Sequence, residues 1–549
     1  MFLSTRIHTG KQASSSMANS TERDTERLTL SAIRANRRTF LTGTGLAVAT
    51  AFGVNLPSSA HASVAPSNAS RSYPFTLGIA SGDPLPDGVV LWTRLAPSPY
   101  EVGGGMDSRA HPVQWQVAAD PSFARVLRAG MTHAHPEFAH SVHVDVRGLQ
   151  PGQDYYYRFR SGPHLSAVGR TRTAPAQGAH LSELDLVVAS CQSLGAGFYH
   201  AWQDAAENPA DVVLFLGDYI YEYEVNSTSV RWPYTPPLPD DYQRRTDTLD
   251  RYRQQYSLYK SDPDLIEAHR LSPWIVTWDD HEVVNDYDST DEQLLTRRAN
   301  AYRAYWEHMP LRLAQRPTGP DALLYRRLSY GDLAQFNVLD NRQYRSPSLP
   351  GSTTTDTPAR RDPSRTMLGD AQQDWLLKGL SASSTTWNVM ANGVLFSRLD
   401  SDPTEGVRVS TGQWDGYQAA QQKVLDHVAS TPIDNFVVLT GDIHRNYHLD
   451  ILSDFDTPGA KTIGVEFAGT SISSGRDGQD SDPGLVDRLA ANPHLKYANL
   501  RRGYLRCTLD HQAWTTQIRQ IDRISTPDYS ASTRKVLVTE AGNPGLVDG

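Results

Sequence analysis

Cysteine is nearly absent: the 549 residues contain only Cys191 and Cys507. A disulfide framework is therefore excluded, and stability must come from a packed core. No block of basic residues exceeds a short cluster and the formal net charge is −9, so the chain lacks the electrostatic footprint of a nucleic-acid binder. Long apolar runs are missing too. Residues 41–56 form a weakly apolar stretch of about 16 residues, short of the roughly 20 that span a bilayer. No other segment reads as transmembrane, which predicts a soluble mature chain. What remains is an ordinary globular balance of 39 % apolar and 21 % charged residues, at a length that suggests two domains.

The first 62 residues read as an export signal. Asn36-Arg37-Arg38-Thr39-Phe40-Leu41 is a twin-arginine pattern, the apolar stretch follows it, and Ala60-His61-Ala62 fits a small-x-small cleavage site. The competing reading is a buried helix behind a chance arginine pair. The leader is long, and Met17 is an alternative start. The expected address is secreted or extracytoplasmic, reached through the twin-arginine export machinery.

Residues 72–175 alternate apolar and polar positions in short runs (88–93, 113–117, 141–146 and 155–159) separated by turn signals such as Gln150-Pro151-Gly152. That pattern predicts a small β-sandwich domain. Beyond residue 174 compact apolar strands alternate with helical stretches, which predicts a layered α/β core over 183–520. Strands are expected at 186–190, 212–216, 274–278, 335–339, 387–391 and 436–440. Helices are expected near 199–207, 248–260, 294–307, 369–380 and 413–429, with Asp370 and Thr411 as cap or first-turn residues. Residues 226–241 hold Pro233, Pro236, Pro237 and Pro239 and read as a long loop. Residues 346–365 read as a second one. Residues 521–549 read as a tail; the tail and the proline-rich loop are both candidate lids.

Polar residues gather where these strands end: Cys191-Gln192, Gly217-Asp218 with Tyr221-Glu222, Asp279-Asp280-His281-Glu282, Asp340-Asn341-Arg342, and Gly441-Asp442-Ile443-His444. Ligands of open α/β sheets bind outside the carboxyl ends of the strands. Carboxylates with a neighbouring imidazole suit a hard or borderline cation, and paired metals polarise phosphoryl oxygens. Taken singly, Gly217-Asp218 is as readily a turn, Cys191 a buried small hydrophobe, Tyr221 a core aromatic and Arg342 a surface ion-pair partner. Cys191 also has a rival reading as the partner of Cys507 in a disulfide. Four adjacent ionisable residues after one strand are harder to explain without a counter-ion.

Ser190-Cys191-Gln192, Gly217-Asp218-Tyr219-Ile220-Tyr221-Glu222, Trp278-Asp279-Asp280-His281-Glu282-Val283 with Asn285, Asp340-Asn341-Arg342-Gln343-Tyr344-Arg345 and Gly441-Asp442-Ile443-His444 stand in one order. Together with Gly78-Ile79-Ala80-Ser81-Gly82-Asp83-Pro84 at the front, they resemble the PhoD-type alkaline phosphatases, relatives of the calcineurin-like metallophosphoesterases. The resemblance spans roughly residues 73–520. It implies a β-sandwich front domain, a two-layered sheet core and a centre of Fe3+ with Ca2+. Cys191, Asp218, Tyr221, Asp442 and His444 would surround the iron, Asp218 would bridge to calcium, and Asp280 and Asn285 would be calcium ligands. Unlike ordinary calcineurin-like enzymes, the first strand ends without an Asp-x-His pair.

The expected activity is hydrolysis of phosphate monoesters for phosphate acquisition. His281 is the candidate to protonate the leaving group and Arg342 to clamp phosphate. A phosphodiesterase or phospholipase D acting on phospholipid would use the same centre. A non-catalytic extracellular binding protein is the reading from another class.

Overall fold

The computed structural model describes residues 72–289, 292–355, 357–402 and 406–549. The predicted export signal lies outside them. The front of the chain holds strands β1 (Ile79–Leu85), β2 (Gly88–Arg94), β3 (His111–Ala118), β4 (Val126–Ala134), β5 (Ser141–Arg147), β6 (Asp154–Ser161), β7 (His164–Leu165) and β8 (Gly169–Arg172). Then come β9 (Leu184–Ala189), helix α1 (His200–Glu207), β10 (Val212–Leu216), α2 (Leu249–Lys260), α3 (Pro263–Leu271), β11 (Pro273–Thr277) and α4 (Leu295–His308). The second half runs through β12 (Arg326–Tyr330), β13 (Ala334–Val338), β14 (Thr353–Thr355), α5 (Gly369–Ser381), β15 (Trp387–Asn392), β16 (Arg408–Ser410), α6 (Gln418–Ser430), β17 (Phe436–Thr440), β18 (Asn446–Leu452) and β19 (Thr462–Ala468). It closes with α7 (Leu485–Ala491), β20 (Leu495–Asn499), β21 (Arg502–Leu509), β22 (Ala513–Ile521), β23 (Ala531–Glu540) and β24 (Asn543–Asp548).

Two large sheets make the core. One has the order β24-β23-β22-β21-β9-β10-β11-β1-β2-β5, the other β12-β13-β15-β17-β19-β18-β20. Their centres, β9-β10-β11 and β13-β15-β17-β19, are parallel. Strands buried on both faces read as continuous apolar runs, which is why these were legible. Leu186, Val188, Leu214 and Leu216 face Phe336, Val338, Val389 and Leu439 between the sheets. Their neighbours in sequence, Val187, Val213 and Phe215, point the other way onto Trp202, Tyr256 and Tyr302 of α1, α2 and α4. Beyond the second sheet, Met390 and Val438 pack on Leu376 and Leu380 of α5 and Val424 of α6. The result is four layers, helix–sheet–sheet–helix, as the layered α/β expectation requires.

The front strands are less separate than a free-standing domain would be. β1 pairs in parallel with β11, and β2 and β5 continue the ten-stranded sheet. β3 and β8 pair with β6 in a second sheet, and Val113, Val117, Tyr157 and Phe159 meet Val89, Leu91 and Val144 across a sandwich core. The sandwich therefore shares one of its faces with the core sheet.

Residues 531–548, expected in a tail, form two antiparallel strands on the edge of that sheet. Backbone pairing holds them there, and Leu546 N–H donates to Asp450 Oδ1 at 2.9 Å. Thr411 caps no helix: α6 begins at Gln418, and the Thr411 hydroxyl donates to the Gly351 carbonyl instead. Cys507 sits within β21 opposite Leu186, and both cysteines are free thiols.

Candidate metal centre

The parallel strands deliver their ends to one edge. Cys191 follows β9 and Asp218 follows β10. The parallel ladder continues beyond both strands, with Cys191 N–H donating to the Gly217 carbonyl and Gln192 N–H to the Asp218 carbonyl, each at 3.0 Å. Asp280 and His281 follow β11, Arg342 follows β13, and Asp442 and His444 follow β17. Cys191, Asp218, Asp442 and His444 all have left-handed backbones, with φ of 61°, 58°, 64° and 52°. Non-glycine residues adopt that region at a cost, and such strain gathers at functional sites. Gly217, at φ 100°, has no room for a side chain, since a Cβ there would lie 2.4 Å from Asp279 Cβ.

Sulfur, nitrogen and oxygen donors of Cys191, Asp218 and His444 lie within 4.8 Å of one another. So do those of Asp218, Asp280 and His281, and those of Asp279, Asp280 and Asp442. Asp218 and Asp280 thus each belong to two groups. The Tyr221 hydroxyl donates to Asp218 Oδ2 at 3.0 Å and lies 3.0 Å from His444 Nε2. Asn285 lies at the exposed rim, where its Nδ2 donates to Asp286 Oδ2 at 2.9 Å.

The four ionisable residues after β11 separate into different tasks. Asp280 and His281 line the pocket. Asp279 is gripped by Arg342 through Nε and through Nη2 at 2.8 Å. Glu282 turns inward and accepts the backbone N–H groups of Asp218, Tyr219 and Asp279 at 3.2, 2.5 and 2.8 Å. One buried carboxylate therefore fixes both loops. Arg342 also donates to Asp442 Oδ1 at 3.1 Å and is itself buried, so its fork holds carboxylates and does not line the pocket.

Comparison with known proteins places the chain in a family. Residues 186–518 match the family model for PhoD-like phosphatase, and residues 59–175 match its N-terminal domain. Alkaline phosphatase D of Bacillus subtilis (strain 168) is 42 % identical over 522 residues, covering 93 % of this chain and 88 % of that protein. A solved structure of PhoD superposes with a TM-score of 0.83 at 42 % identity, covering 87 % of this chain and 92 % of that one. The chain belongs to the PhoD-like phosphatase family. A PhoD-type phosphoesterase activity and the layered fold follow from that membership.

The residues of this PhoD-like centre fit a metal. Asp280 Oδ1 is buried and has no hydrogen-bond partner. Burial pushes Asp218 well above the ordinary carboxylate range and Asp442 up to about 8, the latter with help from Asp279. Burial, then the charge of Asp218, also raises the Cys191 thiol and the Tyr221 phenol. So many crowded anionic donors resist ionisation without a cation among them. His444 goes the other way: burial and Arg502 lower it to about 4, which keeps the imidazole neutral and able to ligate. Burial opposes charge on His281 as well, but Asp218, Asp280 and Glu222 raise it to about 10.

Several supporting residues escaped sequence reasoning. Ser474 Oγ lies 2.6 Å from Tyr221 OH and 2.9 Å from the Cys191 carbonyl. Gln413 donates to Asp442 Oδ2 at 2.6 Å, and Arg502 to the His444 carbonyl at 3.0 Å. Glu222 stood inside a quoted motif; its Oε2 is 2.7 Å from His281 Nδ1. Ser474 also lies beyond a strand end, that of β19.

Proposed function

We propose that this PhoD-like phosphatase hydrolyses phosphate monoesters in the pocket above the metal centre, outside the cytoplasm, for phosphate acquisition. The observation that carries the reading is the pocket itself. A cavity of about 450 Å³ has Asp218, Asp280, His281, Asp442 and His444 as its floor. Ser348, Ser352, Ser410, Thr411 and Gln413 supply a polar wall, and no apolar side chain lines it. Neither 226–241 nor 521–549 contributes a lining residue, so the β14–β16 ribbon and its flanks stand where a lid was expected. A hydrophilic ester fits walls built from such residues.

Cys191, Asp218, Tyr221, Asp442 and His444 would hold Fe3+, and Asp218, Asp280 and Asn285 would hold Ca2+. Thiolate and phenolate donors suit ferric iron, and carboxylate and amide oxygens suit calcium. Held there, such metals would neutralise phosphoryl charge and lower the pKa of a water. His281 reaches the pocket with Nδ1 tied to Glu222, which leaves Nε2 to hold a proton for the departing alcohol. Arg342 acts one step back, fixing Asp279 and Asp442. The twin-arginine pattern supports export, and no helix among the described residues is long and apolar enough to cross a membrane.

Turnover of p-nitrophenyl phosphate, bis-p-nitrophenyl phosphate and phosphatidylcholine tests the specificity. The monoester should be preferred by at least about tenfold in kcat/KM, a difference of about 1.4 kcal/mol in the barrier. Faster cleavage of phosphatidylcholine would replace this reading with the phospholipase one.

A further inference from the structure

A second set of donor atoms meets at the opposite ends of the same strands. His180 lies just before β9, Asp332 in the turn between β12 and β13, and His511 in the turn between β21 and β22. His180 Nδ1 is 3.3 Å from Asp332 Oδ2, and His511 Nε2 is 3.3 Å from Asp332 Oδ1. One ligand atom from each residue lies within 4.8 Å of the other two. The two imidazoles are parallel, with centroids 4.9 Å apart and planes inclined by 12°.

Each donor is held from behind. Leu181 N–H donates to Asp332 Oδ1 at 3.1 Å. His511 Nδ1 is 2.6 Å from Thr386 Oγ1, which turns Nε2 toward the carboxylate. That Nε2 is shielded from water and still makes no hydrogen bond, despite the carboxylate oxygen 3.3 Å away. An imidazole fixed through its other nitrogen, beside an oxygen it does not bond, is how two ligands of one ion are arranged. Ligands about 2.0–2.1 Å from a tetrahedral ion sit roughly 3.3–3.4 Å apart. An ordinary ion pair needs one imidazole, and two stacked imidazolium rings on one carboxylate would repel each other.

We propose that His180, Asp332 and His511 form a divalent-cation site of the zinc or copper class, separate from the catalytic centre. Two imidazoles and one carboxylate favour such ions over calcium or magnesium. His180 is 71 % exposed and His511 23 %, so the ion is open to exchange and keeps room for water. The site joins the approach to β9, the β12–β13 hairpin of one sheet and the β21–β22 hairpin of the other. β9 alone puts it roughly 20 Å from Cys191 at about 3.3 Å per residue, too far to touch substrate. Its role is to fasten the two sheets at the end remote from the pocket.

The full-length enzyme, carrying its own metals, is titrated with Zn2+ and with Cu2+. Wild type should take up about one more ion per chain than H180Q/H511Q. Its Cu2+ electron paramagnetic resonance should show coupling to two imidazole nitrogens, absent in the double variant. Zn2+ should raise the wild-type Tm by about 2–5 °C and leave the variant unmoved. Asp332→Asn, which keeps an acceptor for Leu181 N–H, guards against misfolding and should also lose the ion. Equal uptake by wild type and both variants, without the nitrogen coupling, overturns the site. Turnover that collapses together with the ion overturns its role as a fastener.

Discussion

Tyr221 shows how one side chain ties the centre together. Its hydroxyl reaches Asp218, His444 and Ser474, and its ring lies 4.1 Å from that of His281. Ser474 Oγ bonds both the Tyr221 hydroxyl and the Cys191 carbonyl, and so helps to position both. Removing such a supporting partner costs about 10–100-fold in metal affinity or activity. Ser474→Ala is therefore expected to lose turnover in that range while unfolding at the wild-type denaturant midpoint. Cys191, Asp218, Tyr221, Asp280, Asp442 and His444 were legible because each ends an apolar run or stands next to one that does. Ser474 was not, because the strand before it, β19, carries Gly464 and Glu466 and does not read as apolar. Glu466 is buried there and satisfied by Thr440 Oγ1 at 2.6 Å and the backbone N–H groups of Phe396 and Ser397. A polar residue with such partners is invisible to a pattern of hydrophobicity.

At the scale of elements, the loop after β10 is tightly constrained. Gly217 combines a left-handed φ of 100° with the 2.4 Å approach of Asp279. Gly217→Ala should destabilise by about 1–3 kcal/mol and displace Asp218, so the unfolding midpoint and the bound metal should fall together. The strands at 212–216 and 436–440 lie where the apolar runs place them. Helix α3 went unread, although Asp262 caps it with bonds to the N–H groups of Asp264 and Leu265 at 2.9 and 3.0 Å, and Pro263 opens it. That cap signal is local and was there to be used. The membership of β1, β2 and β5 in the core sheet had no such signal. Alternation shows that a strand has a buried face and is silent on which strand lies beside it.

For the whole molecule, two stacked sheets between helices bury titratable groups, and these contribute to its acid stability. His448 in β18 is buried with both ring nitrogens unpartnered, and burial lowers its pKa from 6.5 to about 3. A depressed imidazole contributes stability that is complete above the unfolded value of 6.5 and is lost as pH falls toward 3. His143, lowered by burial to about 4, acts in the same direction. Unfolding free energy should therefore decline below pH 6.5, each such histidine adding up to about 1.4 kcal/mol per pH unit. His448→Phe should flatten that slope, as denaturant titrations at several pH values would show.

The central claim is that strand ends from both sheets assemble one metal centre through Asp218. Metal content and p-nitrophenyl phosphate turnover, measured together on wild type and Asp218→Asn, test it most directly. The wild type should hold tightly bound metal. The variant should lose metal and at least about 10³-fold of its turnover, roughly 4 kcal/mol of barrier, while its circular dichroism stays native. A folded Asp218→Asn enzyme with wild-type metal and turnover would contradict it.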